Sequence, residues 1–323
     1  MVTRVEKSRR NMRQRQPVVG MSLEAKQLNR IIKKVARTDE PVLLVGDVGT
    51  GKTFCAESIH ALSTRKEQPF VRVNCAALGN TICMNDFLGR GDSSPDNAGL
   101  PLVRQAKKGV LFLENIADLS ADFQSVLTGI IAERKYTPVG LSKGRSVEFR
   151  IIAATAVELA DTLKEGGFQK KLFTLLTPRT VRLPPLRDRR QDVPELLLFF
   201  LKQYCESNQL QIPAVPAEIF EYMLAYDWKG NVRELKNCVE TLVMMSPPGE
   251  LCLDYLPFKV QRHPLDCLDV RDLNGATSAV EVYLIRKALE KFAGNQVKAA
   301  RQLGLPEATL RFKIKKYAIA KEV

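Results

Sequence analysis

The 323-residue chain lacks any apolar run approaching the ~18 residues that a membrane-spanning helix needs, so no membrane anchor is expected. Residues 1–16 carry Arg4, Lys7, Arg9, Arg10, Arg13 and Arg15 without the apolar segment that would follow in a secretion signal. There are only two histidines, His60 and His263, and the seven cysteines never form a CxxC pair, so the usual ligand spacings of a zinc site are missing. Cysteines scattered in this way read as small buried residues of a protein kept in the reducing cytoplasm. Acidic residues are also in short supply. The 36 Asp and Glu face 49 Lys and Arg, a formal net charge of +13. That balance favours contact with phosphate backbones but names no particular nucleic acid.

What is present is enough apolar sequence, 45% of residues, for two or three packed units. Much of the excess charge lies at the end, where residues 286–323 hold ten basic side chains against three glutamates. Leu28, Ile31, Ile32 and Val35 have the spacing of one apolar helix face. The runs Val42–Val45, Phe70–Val73, Val110–Leu113 and Phe149–Ala153 read as buried strands separated by helix-length segments. Strands alternating with helices predict an α/β fold with a mostly parallel sheet covered on both faces. From Asp188 to about Met245 these runs stop, and Val193, Leu196, Leu197, Phe200, Leu201 and Tyr204 mark a small helical subdomain. Ser246–Ser278 gathers Pro247, Pro248, Gly249, Pro257, Pro264 and Gly275 and reads as a linker.

Gly46-Asp47-Val48-Gly49-Thr50-Gly51-Lys52-Thr53 satisfies GxxxxGK[ST] directly after the first strand and before a helical segment. The glycines let backbone N–H groups wrap phosphates, and the positive end of the next helix faces them. Lys52 is expected to reach the β and γ oxygens and Thr53 to ligate Mg²⁺, which makes ATP with Mg²⁺ the expected ligand. Glu114 ends a later apolar strand, where an acidic side chain is expected beside the metal. Asn115 follows it, and a neutral amide is no general base near pH 7. The pair predicts nucleotide binding without efficient hydrolysis.

With their surroundings these features resemble the AAA+ enhancer-binding activators of sigma-54 RNA polymerase. The resemblance rests on Gly46–Thr53, Val73-Asn74-Cys75-Ala76-Ala77-Leu78, Arg150-Ile151-Ile152-Ala153-Ala154-Thr155, Leu183-Pro184-Pro185-Leu186-Arg187-Asp188-Arg189 and Trp228-Lys229-Gly230-Asn231-Val232-Arg233-Glu234-Leu235. It implies that Asn74 is the switch residue near the γ-phosphate, that Thr155 lies in the sensor I strand, and that Arg233 contacts nucleotide. Three departures accompany it. The family's Asp-Glu pair is here Glu114-Asn115, and its sigma-contacting GAFTGA loop has no counterpart in residues 87–99. The segment carrying the arginines inserted into a neighbour's site appears as Phe168-Gln169-Lys170-Lys171-Leu172-Phe173-Thr174-Leu175-Leu176, with Gln169 and Leu175 at the two finger positions. Such a finger is worth roughly 10³ to 10⁵ in rate.

Residues 294–314 read as helix, glycine-containing turn and helix, with Ala299, Ala300 and Leu303 set to pack on Leu310 and Ile314 and Pro306 in the first turn of the second helix. This segment is similar to the Fis-type helix-turn-helix that ends the same family. The second helix is expected in the major groove of double-stranded DNA, with Thr309, Arg311 and Lys313 offered to bases or phosphates and Lys315 and Lys316 to the backbone. Glu307 either reads a cytosine amine or repels phosphate. A helix near Val280–Phe292 is expected to form a dimer face. The resulting division is a basic arm over 1–17, a nucleotide-binding α/β core over 18–186, a helical lid over 187–250, a linker over 251–276 and an all-α helix-turn-helix domain over 277–323. The arm is either a solubilising tail or a nucleic-acid contact. With about forty residues ahead of the first strand, no receiver or sensor domain is expected there. Three readings follow: a DNA-binding regulator that uses ATP as a ligand and oligomerises, a subunit that joins the ring of a complete activator, and a working sigma-54 ATPase. Contact with RNA polymerase is an expected partnership.

Overall fold

The computed structural model describes residues 18–79, 82–90, 100–261, 281, 284–285, 288–289, 292 and 294–317. The chain forms two compact units, Met1–Val215 with Asp227–Tyr255, and Pro216–Tyr226 with Leu256–Val323. The basic arm, residues 91–99 of the short-loop reading and the later part of the linker all lie outside the described residues.

In the first unit, helix α1 (Leu23–Ala36) begins where Ser22 Oγ accepts the Ala25 N–H at 3.0 Å, which satisfies one of the free donors of its first turn. It buries Leu28, Ile32 and Val35, while Ile31 stays 43% exposed, so the apolar stripe is narrower than its spacing predicts. Strand β1 (Val42–Val45) leads through the glycine loop into α2 (Lys52–Ala61). β2 (Phe70–Asn74) and β3 (Val110–Glu114) follow, then α3 (Ala121–Glu133) and a hairpin of β4 (Lys135–Tyr136) and β5 (Arg145–Ser146). β6 (Arg150–Thr155), α4 (Lys170–Leu176) and β7 (Thr180–Arg182) complete the layer.

The sheet is parallel throughout, in the order β2-β3-β6-β1-β7. Because successive side chains point to opposite faces, Leu43, Leu111, Leu113, Ile151 and Ala153 enter one core, and Val42, Leu44, Phe112, Ile152 and Ala154 enter the other. All four strands expected from apolar runs are present. β7 adds a three-residue edge strand in which only Val181 is buried, too short a run to stand out. Arg150 lies fully buried and donates to the Val35 and Glu40 carbonyls, tying the start of β6 to the end of α1, and burial lowers its pKa to about 10.

Beyond β7 a 3₁₀ segment (Leu186–Asp192) leads into α5 (Val193–Asn208); α6 (Ala217–Ala225) belongs to the second unit, and α7 (Asn231–Met245) packs on α5. The segment is helical as expected, but its helices fall in both units, α5 and α7 in the first and α6 in the second. The linker reading does not hold over residues 251–261. Helical turns form at Leu253–Tyr255 and Phe258–Gln261, and Leu251, Leu256 and Val260 are buried. The prolines and Gly249 punctuate that segment without freeing it, because its apolar residues still find cores.

In the second unit, α8 (Gln296–Gln302) is capped by Asn295, whose Oδ1 accepts the Lys298 N–H, and a turn through Gly304 leads to α9 (Glu307–Lys316). Pro306 stands at the N-cap, one residue ahead of the expected first turn. Ala299, Ala300 and Leu310 form a small core with Ile285 and Ala288, with Leu303 and Ile314 packed against it, which is the expected pairing.

Candidate functional site

Register brings Asn74 beside Glu114 and Val45 beside Thr155, so the glycine loop, the ends of β2 and β3 and α7 surround one cleft of about 770 Å³. This edge, outside the carboxyl ends of parallel strands, is where open α/β sheets hold ligands. Val48, Gly49, Thr50, Gly51, Lys52 and Thr53 line it, whereas Gly46 and Asp47 face a neighbouring cavity and Asp47 pairs with Arg187 at 3.1 Å. Gly49 and Gly51 hold left-handed backbone, at φ 83° and 101°, which aims the loop's N–H groups inward. Thr50 Oγ1 donates to the Asp47 carbonyl at 2.8 Å and closes the turn. Lys52 Nζ donates to the Gly46 and Asp47 carbonyls, and burial lowers its pKa, with Asp47 opposing.

The lid is seated on this loop. Asn231 is fully buried; its Nδ2 donates to the Val48 carbonyl at 2.9 Å and its Oδ1 accepts the Leu186 N–H at 2.8 Å. The Arg233 N–H donates to the Gly49 carbonyl at 3.2 Å, and Arg233 lines the cleft. A side chain at Gly49 would place its Cβ 2.1 Å from the Gly230 carbonyl, so the close approach requires glycine. Arg189, also buried, donates to the Thr50 carbonyl at 3.3 Å from the lid side. At the other end, Asn29 holds the Val18 backbone through its N–H and carbonyl, and Val18, Val19, Leu28, Leu196, Phe199 and Phe200 make an apolar pocket suited to a flat base.

At the strand ends, Asn115 Nδ2 donates to Asn74 Oδ1 at 3.1 Å, and the Asn115 backbone is left-handed at φ 55°. Thr53 Oγ1 donates to Glu114 Oε1 at 2.5 Å, and Arg72 Nε donates to Glu114 Oε2 at 2.5 Å. Burial pushes the Glu57 carboxyl up, with Arg72 opposing. The donor set is the hard-oxygen type that suits Mg²⁺: the Thr53 hydroxyl oxygen keeps lone pairs for a cation while its proton goes to Glu114, and the Glu114 carboxylate keeps acceptor sites for water around the ion.

The expectation for Thr155 is corrected, as it is for Gly46 and Asp47. Thr155 is fully buried, its Oγ1 donates to the Val157 carbonyl at 2.9 Å and accepts the Val157 N–H, and it does not line the cleft. Its hydroxyl closes a turn after β6. Gln169, expected at a finger position, folds back on its own chain: its Nε2 donates to the Ala121 carbonyl and to Ser125 Oγ.

On α9, Arg311, Lys315 and Lys316 are exposed and Thr309 is half-buried. Arg311 is bridged to Glu307 at 2.5 Å, one turn away. Lys313 differs from its expected role. It is half-buried and pairs with Glu281 at 2.6 Å, and Glu281 also accepts the Tyr317 hydroxyl at 2.7 Å, so the lysine braces the helices of its own unit. Sequence reasoning did not single out Arg72, Arg189, Lys236 or Phe312 as contacts, nor the apolar pocket of Val18, Val19, Phe199 and Phe200. Arg72 is two positions before Asn74, and a period of two puts both on one face of β2. Phe312 is 66% exposed among Arg311, Lys315 and Lys316.

Residues 18–182 match the sigma-54 interaction domain, 187–267 an AAA+ ATPase lid domain and 278–317 the Fis family of bacterial regulatory proteins. The chain is 35% identical over 300 residues to the transcriptional regulatory protein ZraR of Escherichia coli, covering 92% of this chain and 68% of that one. The regulatory protein AtoC of the same organism is 32% identical over 296 residues, covering 88% and 64%. Among solved structures, NtrX of Brucella abortus in complex with ADP superposes with a TM-score of 0.76 at 29% identity, covering 97% of this chain and 72% of that one. The same protein in complex with ATP gives 0.69. No helix among the described residues is long and apolar enough to cross a membrane.

Proposed function

The chain belongs to the family of transcriptional regulators built on the sigma-54 interaction domain, and from that premise we propose that it binds ATP and specific double-stranded DNA and uses nucleotide as a ligand rather than as fuel. The observation that carries this is the Asn115–Asn74 amide pair at 3.1 Å, where neither side chain takes a proton from water. ATP is held by the loop Gly46–Thr53 with Arg233 from the lid, its base in the apolar pocket by Val18 and Phe199. Gln169 and Leu175 bring no guanidinium to a neighbour's phosphates, so oligomers form without supplying trans catalysis. The regulator works in the cytoplasm, on DNA through α9, and without remodelling sigma-54.

A second reading has the chain joining the ring of a complete activator and weakening it; the inward-turned Gln169 favours this, since it leaves a neighbour's site without its finger. Mapping of the chain's DNA occupancy across the genome, with and without sigma-54, separates the two. Sites of its own that persist without sigma-54 support the regulator. Occupancy confined to the sites of an intact activator, together with co-purification with that activator, replaces it by the ring partner.

A further inference from the structure

Asp192, the last residue of the 3₁₀ segment before α5, is fully buried, and both of its carboxylate oxygens are turned toward the stretch of chain ahead of α1. Oδ1 accepts the Ser22 N–H at 2.7 Å and Oδ2 accepts the Ser22 hydroxyl at 2.8 Å. Gly20 packs on the same carboxylate so closely that an added Cβ would lie 2.5 Å from its carbon. Asn29 pins the other end of the stretch by bonding both backbone groups of Val18. Residues 18–22 are therefore held at each end, and they carry Val18 and Val19, one wall of the apolar pocket.

The opposite wall is α5, where Leu196, Phe199 and Phe200 stand at the i, i+3, i+4 spacing of one helix face just beyond Asp192. One carboxylate thus joins the two walls. The same segment also touches the glycine loop: Arg189 lies 4.0 Å from Asp192 and donates to the Thr50 carbonyl at 3.3 Å, and its Nε is buried without a hydrogen-bond partner. Burial lowers the Arg189 pKa, with Asp192 opposing, so the carboxylate also offsets a buried charge.

We propose that Asp192 is a positioning residue for the base: by clamping Gly20 and Ser22 to the start of α5 it fixes the width of the pocket between Val18 and Phe199. The clamp sets how much of the binding of a nucleoside triphosphate comes from its base rather than from its phosphates. A flat ring gains most when both walls touch it, and a gap of about 0.5–1 Å forfeits roughly a quarter to a half of the attraction on that side. The glycine loop keeps its own seat, through Asn231 and the Arg233 N–H, whatever that width is.

The inference rests on the reading of the cleft as a nucleotide site, and one set of titrations separates their failures. The purified full chain is titrated in Mg²⁺ with ATP and with inorganic tripolyphosphate, which has phosphates and no base, for wild type, Gly20→Ala and Ser22→Ala. Gly20→Ala pushes the chain off Asp192 without removing a polar group, and Ser22→Ala removes one of the two bonds to the carboxylate, so either variant suffices if the other does not fold. Each is expected to lose about tenfold in ATP affinity and less than about threefold in tripolyphosphate affinity. Equal losses for the two ligands, the mark of a general loosening, overturn the proposal, as does ATP affinity unchanged in the variants. A wild type that binds ATP no more tightly than tripolyphosphate overturns the base pocket. Binding of neither ligand by wild type overturns the nucleotide site itself.

Discussion

Asn115 Nδ2 donates to Asn74 Oδ1 at 3.1 Å across the carboxyl ends of neighbouring strands, at the mouth of the glycine-loop cleft. Both partners are amides, so the contact holds without charge and has no titration near neutrality. Asparagine also suits the left-handed backbone there, φ 55°, better than a longer side chain does.

Asn115→Glu alone is expected to leave phosphate release near background. The new carboxylate pays about 1 kcal/mol in the left-handed backbone, and the trans guanidiniums are still missing. Adding Gln169→Arg and Leu175→Arg to it is expected to raise turnover by roughly 10³ or more, read by phosphate release.

Asn231→Ala removes two buried hydrogen bonds, to Val48 and Leu186, and leaves their backbone groups unsatisfied. A loss of about 2–4 kcal/mol is expected, read by denaturant unfolding. Gly49→Ala acts at the same seat by colliding with the Gly230 carbonyl, and is expected to weaken nucleotide binding by about tenfold or more, read by ATP titration.

Glu281 is held below its ordinary pKa of 4.5 by hydrogen bonds from Lys313 and Tyr317, with Lys313 and Lys316 adding charge. A folded pKa below the unfolded one gives stability that is present above 4.5 and lost as pH falls through the depressed value. Thermal unfolding of the full chain is expected to show Lys313→Met less stable than wild type at neutral pH, with the gap closing in acid. A gap that persists unchanged in acid contradicts the brace.

Lys315→Ala is expected to lower the salt dependence of DNA binding by about 0.9 in the log–log slope, the mark of one phosphate contact. Phe312→Ala is expected to leave that slope alone and to lower the preference for the chain's own site by roughly tenfold, because an exposed ring on this helix meets base edges such as the thymine methyl. Fluorescence anisotropy at several salt concentrations reads both.

The parts of the fold that are local in sequence were legible there. Val42–Val45 and Val110–Leu113 are unbroken apolar runs because both faces of the sheet are covered, and the glycine loop carries its conformation in its own residues. What was not legible depends on distant partners. Arg72 gains its role from Glu114, 42 positions on, and Asn231 from Val48, 183 positions back. Thr155 and Lys313 were misplaced for the same reason: the first turns to Val157 and the second to Glu281, and neither choice is written in residue type. The prolines around 247–257 resembled a linker because punctuation is visible in sequence and the burial of Leu256 and Val260 is not.

The most direct test of nucleotide as ligand is phosphate release by the purified chain at saturating ATP, in Mg²⁺, with binding measured on the same preparation. Saturable binding with release at background is the expected result, and turnover near about one per second contradicts the account.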